Sequence, residues 1–376
     1  MKIGIDVSQV VFGGGVGVYT RELVKALFKV DQENEYILFF SSLRRQFPGL
    51  QVGALAHSRV KIKKFKIPPT GLDFLWNKLH IAPIEWFIGE IDVFHSSDWT
   101  QPPTKKAKLV TTIHDLSFLR WPETVHPKVL TVQKRRLDWV KKEVDIIIAV
   151  SRATKKEIIE LLGIEEERIR VVYEGVPRDV EKFKLKFKLK EVESLREKLK
   201  SRYKIDRPYL FAYGSRAPRK NIKRLIGAFR EIREIRDKYQ LVIVGDYQPE
   251  EKLPNNVVLT GFLPREEMLA LFAGATALVY PSLYEGFGLP ILEAFALGVP
   301  VITSNCSSMA EVASKAAILV DPNSTESIAR GIKTVLNSEL IREKLIEAGK
   351  QRARQFSWER AAKETLKIYQ FLISNF

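Results

Sequence analysis

The sequence predicts an α/β protein of two Rossmann-like, doubly wound domains in tandem, facing a central cleft that makes a natural ligand site. Three observations carry that expectation. Short apolar runs alternate with helical patterns through the first half of the chain, and the second half repeats the plan. At 376 residues the chain is too long for one ordinary core. Between the halves, residues 179–205 form a highly charged stretch without glycine, which marks a connector.

The elements follow in order. "KIGIDV", "EYILFF", "VKIKKF", "DVFHSS", "KLVTTIHD" and "VDIIIAVS" are strands of the first domain, with helices at "GVYTRELVKALFKV" and "KVLTVQKRRLDWVKKEV". In the connector, "KFKLKFKLK" alternates Lys with Phe or Leu, and strict alternation predicts a strand with one apolar face. A solvated lysine edge is the ordinary reading of it, and contact with an anionic membrane at the inner face is the alternative. The second domain has strands at "YLFAYGS", "QLVIVGD", "NVVLTGF", "ALVYPS", "PVITS" and "AILVDP". Its helices are "NIKRLIGAFREIREIRDKY", "REEMLALFAGA", "LPILEAFALG" and "TESIARGIKTVLN". A closing amphipathic helix, 357–376, is expected to complete the first domain, so the domains are 1–178 with 357–376, and 206–356.

The formal net charge is +16, a balance that favours polyanions, among them phosphorylated small molecules. One cysteine, Cys306, allows no internal disulfide and fits a reducing, cytoplasmic compartment. The N-terminus reads as a first strand rather than a targeting peptide, and no apolar run is long enough to span a bilayer.

Function in doubly wound sheets belongs at the carboxyl ends of the strands. Gly13, Gly14, Gly15 and Gly17 follow the first strand and precede a helix, where backbone amides can approach a phosphate. The dinucleotide spacing G-x-G-x-x-G fails there in every register. His114 and Asp115 end another strand and could exchange protons or hydrogen bonds with sugar hydroxyls, and Asp98 and Trp99 occupy a similar place with a weaker signal. Arg216, Arg219 and Lys220 lie between the first strand of the second domain and a helix with Asn221 as its expected cap, where cations can hold a diphosphate.

The stretch "EGFGLPILE" sets Glu285 on a glycine-flanked loop and Glu293 in the helix beyond, with Pro290 expected as the first helical residue and Glu293 in the first turn. The amides of Phe287, Gly288 and Leu289 would point at a ligand over that helix N-terminus. An acid in a first turn gains from the helix dipole, whereas Glu285 has no comparable structural reason. There is no D-x-D, no H-E-x-x-H or cysteine cluster, no phosphate-binding loop of the Walker type and no G-x-S-x-G.

"YEGFGLPILEAFALGVPVITS" resembles the E-x7-E signature of the family 4 retaining glycosyltransferases, which have the GT-B fold. "FGGGVGVY", "TIHDLSFLRWPE", "IIAVSRATKKEI", "RIRVVYEGV", "RAPRKNIKRLI", "LTGFLPREEMLALFAGA" and "FSWERAAKETLKIY" extend the likeness over nearly the whole chain, in the family's order. "HDLSFLRWPE" and "PRKN" are most similar to its mannosyltransferase-like branch. The resemblance implies that Glu293 binds the nucleotide ribose and that Glu285 lies at the donor sugar. Phe287, Gly288 and Leu289 would offer amides to sugar and phosphates, and Lys220, Arg219 and Arg216 would hold the diphosphate with Gly14 and Gly15 closing over it. His114 would touch the sugar, and Phe262 and Leu263 the base. "GSRAPRKN" is one residue shorter than in many members, which makes Lys220 the firmer assignment and Arg216 the weaker. Ser314 and Lys315 stand where a glycine and an acid are usual.

The expected activity is retaining transfer of a sugar, mannose from GDP-mannose first, to a saccharide or lipid-linked acceptor, with no cofactor, no metal and no nucleic acid partner. A UDP-sugar donor such as UDP-glucose is the alternative within that chemistry. A hydride-transferring Rossmann enzyme and a non-enzymatic polyanion binder are the alternatives outside it.

Overall fold

The computed structural model describes residues 1–49, 59–186 and 189–374, and the chain divides into two compact units, Met1–Gly175 with Ser357–Phe376, and Val176–Phe356. The described residues of unit 1 form a sheet of β1 (Lys2–Asp6), β2 (Glu35–Ser41), β3 (Val60–Phe65), β4 (Val93–Ser96), β5 (Lys108–Ile113), β6 (Ile146–Ala149) and β7 (Ile169–Val171). Their order is β3-β2-β1-β4-β5-β6-β7, with every neighbouring pair parallel. Parallel strands covered on both faces are continuously apolar rather than alternating, as the fully buried "IIIA" of β6 shows. The three-residue β7 is too short to stand out as a strand in the sequence.

In unit 2 the sheet comprises β8 (Tyr209–Gly214), β9 (Gln240–Gly245), β10 (Val257–Gly261), β11 (Ala277–Tyr280), β12 (Val301–Ser304) and β13 (Ile318–Val320), in the order β10-β9-β8-β11-β12-β13, again all parallel. Leu210, Leu241, Val279 and Ile302 of the sheet meet Leu225, Phe229, Ile328 and Ile332 of the covering helices in one core. Strand order reverses at β1 in unit 1 and at β8 in unit 2. Those switch points open a crevice at the carboxyl end of each sheet.

The C-terminal helix Trp358–Ser374 packs in unit 1 against the helix Gly15–Val30. Tyr19 and Trp358 meet edge to face at 5.8 Å, and Tyr369 places its hydroxyl 2.6 Å from Nδ1 of buried His95. A Cβ on Gly175 would lie 2.4 Å from the Trp358 nitrogen, so only glycine admits that approach.

Three expectations are corrected. "KFKLKFKLK" is not a strand: Arg178–Lys186 and Leu189–Tyr203 are helices, and residues 187–188 lie outside the described residues. The run has no β-branched residue, its Lys and Leu are good helix formers, and Val180 and Phe183, three apart, bury one helical face. The helix expected over 221–239 breaks at Ile232 into Ile222–Glu231 and Arg233–Arg236, because Ile232 leaves helical geometry as it and Ile235 enter the core. Leu289, not Pro290, is the first residue of the helix Leu289–Leu297, which moves Glu293 from the first turn into the second. The dipole argument for Glu293 therefore lapses, and its ion pair with Arg265 takes over.

Candidate functional site

The unit 2 site grows from the pairing of β8 with β11, Leu210 beside Ala277 and Phe211 beside Leu278, which brings the loops that follow both strands together. The Leu283 amide donates to the Arg219 carbonyl at 2.7 Å and joins the two loops. Asn221 occupies the N-cap position in a left-handed conformation (φ 60°) that asparagine tolerates better than most residues. Its side chain does not cap the helix. Its amide nitrogen donates to the carbonyls of Pro281 (2.9 Å) and Pro322 (2.7 Å), pinning the loops after β8, β11 and β13 to one another.

Glu285 lies buried in this knot. Lys220 Nζ donates to its Oε1 and Arg219 Nη1 to its Oε2, each at 2.7 Å. Lys220 also donates to the Tyr280 hydroxyl at 2.7 Å. Burial pushes the Glu285 carboxyl upward, but the neighbouring Lys220 and Arg219 outweigh it and bring it down to about 2. The loop backbone is fixed as well, since the hydroxyls of Ser307 and Ser308 each donate to the Glu285 carbonyl at 2.7 Å. Two cations facing one carboxylate that stays ionised at neutral pH give the triad a formal charge of +1, so it can both receive a phosphate and present a negative charge.

Glu293, likewise buried, belongs to a second network. The Tyr213 hydroxyl donates to Oε2 at 2.7 Å, and Arg265 Nη2 to Oε1 at 2.5 Å. Arg265 also grips Asp179 through Nε (2.9 Å) and Nη2 (3.1 Å). Gly288, at φ 100°, is the N-cap of the helix that carries Glu293, a conformation open to glycine and strained for other residues. The Phe287 side chain anchors this turn edge-on against Phe356, with ring centres 5.9 Å apart.

Sequence reasoning missed Arg265, Tyr213, Tyr280 and Asp179. Arg265 carried a signal: as the first residue of the helix Arg265–Ala273 it opposes the helix dipole, which calls for an acidic partner elsewhere. Arg216 is not part of either network. It is exposed and lies 3.6 Å from Asp246, beyond β9. Phe262 is 81% exposed and Leu263 half-buried, on the loop that leads from β10 to Arg265.

In unit 1, Cβ atoms on Gly13, Gly14 or Gly15 would meet nothing, while one on Gly17 would strike the Phe12 carbonyl at 2.0 Å. Gly17 therefore serves the packing of the helix Gly15–Val30, and the open turn is confined to the three glycines before it. Next to this turn, a cavity of about 620 Å³ opens at the carboxyl ends of β1 to β4, lined by Phe12, Leu43, Arg45, Pro69, Trp99 and Thr100 among others. His114, after β5, sets Nδ1 3.5 Å from the buried Glu174 and its ring edge-on to Tyr19 at 4.6 Å. Burial would lower the imidazole, but Glu174, Asp98 and Asp115 raise it above its ordinary value. Asp115 accepts from the amide and hydroxyl of Ser117, a local turn contact. Glu174 was missed because a single acid after a short strand has no periodicity to announce it.

Among the described residues, no three His, Cys, Asp or Glu side chains are grouped to hold a metal ion, and no helix is long and apolar enough to cross a membrane.

Residues 13–180 match Glycosyltransferase Family 4, and residues 194–352 match Glycosyl transferases group 1. The chain is 30% identical to O-antigen chain mannosyltransferase B of Escherichia coli, over 95% of this chain and 96% of that protein. Sucrose-phosphate synthase from Thermosynechococcus elongatus superposes over all of both chains with a TM-score of 0.73 at 20% identity. Anabaena HepE in complex with UDP-glucose superposes over 98% of this chain and 99% of that chain, with a TM-score of 0.62 at 18% identity. At such identities the two structures speak to the fold alone, which is GT-B.

Proposed function

The chain belongs to glycosyltransferase family 4, and from that premise we propose that this glycosyltransferase moves mannose from GDP-mannose, with retention and without a metal, onto a saccharide or lipid-linked acceptor in polysaccharide biosynthesis. The observation that carries the reading is the clamp of Lys220 and Arg219 on Glu285 at the β8–β11 switch point. Glycosyl transfer builds positive charge on the sugar and negative charge on the departing diphosphate. Lys220 and Arg219, with the amides of Gly288 and Leu289, would receive the diphosphate in place of a metal. Glu285, held near pKa 2, carries no proton at working pH and acts as a fixed charge on the sugar side. The leaving phosphate takes the acceptor's proton in a same-face displacement.

Glu293 would receive the ribose hydroxyls. Arg265 ties it to the loop of Phe262 and Leu263, which fits a base next to that ribose. In unit 1, the open turn at Gly14 and Gly15 would offer amides to phosphate. His114, whose Nδ1 faces Glu174, would donate from Nε2 to a sugar hydroxyl. The cavity at the carboxyl ends of β1 to β4 is proposed for the acceptor.

The mannose assignment is supported by the Escherichia coli mannosyltransferase at 30% identity. A UDP-sugar donor is the second reading, since the clamp of Lys220 and Arg219 would meet the diphosphate that both kinds of donor share. Family membership removes the non-enzymatic polyanion binder and the hydride-transferring enzyme. Hydrolysis of GDP-mannose, UDP-glucose and related donors by the purified chain tests the proposal. Turnover of UDP-glucose but not GDP-mannose would replace the first reading with the second, and turnover of neither would reject both.

A further inference from the structure

The loop that follows β4 in unit 1 is tethered along its main chain. Ser97 Oγ accepts from the Trp99 amide at 3.3 Å, and Gln133 Nε2 donates to the Asp98 carbonyl at 2.9 Å. Buried Asn77 donates to the Trp99 carbonyl at 3.2 Å and accepts from the Gln101 amide at 3.0 Å. These bonds fix the backbone on both sides of Trp99, while its half-buried side chain lines the cavity at the carboxyl ends of β1 to β4. The fold makes no polar use of that side chain. Trp76 and Trp139 each donate their indole N–H to a carbonyl, that of Ala82 at 3.0 Å and that of Asn77 at 2.9 Å. The Trp99 indole N–H has no partner among the described residues, and its ring stacks on no aromatic ring among them.

Other lining residues have the same double character. Phe12 and Pro69 add apolar faces, while the Gln9 side-chain amide and the Thr70 hydroxyl likewise have no hydrogen-bond partner among the described residues. Apolar planes and unspent hydrogen-bonding groups thus enclose one space of about 620 Å³. A hexopyranose is the complement of that lining. It has a face of C–H groups, whose partial positive charge an aromatic face attracts, and a rim of hydroxyls that both donate and accept.

We infer that Trp99 is the platform on which a neutral pyranose of the acceptor stacks, with its indole N–H and the side chains of Gln9 and Thr70 taking the sugar hydroxyls. The inference rests on the reading of this cavity as the acceptor site and names the chemistry that the site takes. An alkyl chain fits less well, because it would cover the Trp99 N–H, Gln9 and Thr70 and leave them unpaired. Asn77 is then a positioning residue, since it holds Trp99 by the backbone and leaves the ring to the ligand.

The test is saturation-transfer NMR of the full chain with the methyl glycosides of mannose, glucose and galactose. No donor is added, so the measurement reads sugar binding whatever the donor proves to be. The parent should bind at least one glycoside, with transfer concentrated on the C–H groups of one pyranose face. Trp99→Ala should weaken that binding about tenfold. Trp99→Phe, which keeps a ring and loses the N–H, and Gln9→Ala should each weaken it about threefold. Thermal melts control for folding, and if Trp99→Ala melts early the two milder variants give the reading. In the transfer reaction the same variants should raise the KM for a saccharide acceptor by a larger factor than the KM for the donor. Absence of glycoside binding, or equal binding by parent and variants, overturns the inference. Binding of octanol or of a free nucleotide, rather than a glycoside, that falls in the same variants overturns it as well. Glycoside binding that falls in these variants, in a chain that turns over no nucleotide sugar, would uphold the pyranose site and reject the transfer reaction.

Discussion

Arg265 Nη2 lies 2.5 Å from Glu293 Oε1, and the same guanidinium holds Asp179 at the start of the helix Arg178–Lys186. A residue at the head of one helix thus sets the carboxylate of another. We expect Glu293→Ala to weaken nucleoside diphosphate binding about tenfold to a hundredfold, the scale of a charge-assisted hydrogen bond. Arg265→Gln should raise KM for the donor several-fold with a smaller effect on kcat, since it acts through Glu293. Calorimetry with the free nucleotide and steady-state kinetics read both. Unchanged nucleotide binding in Glu293→Ala would remove Glu293 from the ribose.

Glu285→Gln should lower kcat about a hundredfold or more, with little change in nucleotide binding. The amide keeps the volume, and a thermal melt controls for folding. Turnover near the parent rate would take Glu285 away from the chemistry.

Glu285 also predicts an acid limb in stability. Its folded pKa, about 2, lies below the usual 4.5, so its contribution is present above pH 4.5 and is lost as pH falls toward 2. Denaturant melts at about pH 3 and about pH 7 should differ less in Glu285→Gln than in the parent. An equal pH difference in the two proteins counts against the ion-paired carboxylate.

For His114 the expected sign is opposite. Its folded pKa is raised, so it stabilises the fold below its unfolded value and loses that contribution as pH rises through the folded one. Glu174→Gln removes one cause of the rise, and the His114 titration followed by NMR should shift to lower pH. A midpoint that stays in place would show that Glu174 does not govern this imidazole.

Donor turnover should survive EDTA, because Lys220 and Arg219, paired with Glu285, are proposed to neutralise the diphosphate in place of a metal. Complete loss on chelation, restored by a divalent cation, would contradict that arrangement.

The two sheets and most of their strands were legible in the sequence because buried parallel strands are uninterrupted apolar runs, a local property. Glu285, Lys220 and Arg219 were legible for a related reason. They sit on the loops that end such strands, and doubly wound sheets bind ligands there. "KFKLKFKLK" misled because alternation of Lys with Phe and Leu satisfies period two, while the choice of helix came from burying Val180 and Phe183.

By itself the sequence determined the fold class, the family and the loops proposed to carry the chemistry, since these follow from hydrophobic periodicity and from short motifs at strand ends. Only the tertiary structure decided which charges meet. It set Arg265 on Glu293, turned Arg216 away toward Asp246, used Asn221 to pin three loops instead of capping a helix, and placed Glu174 against His114. Ion pairs and buried hydrogen bonds join residues far apart in the chain. Their partners are fixed by strand order and loop path, which no local window of sequence contains.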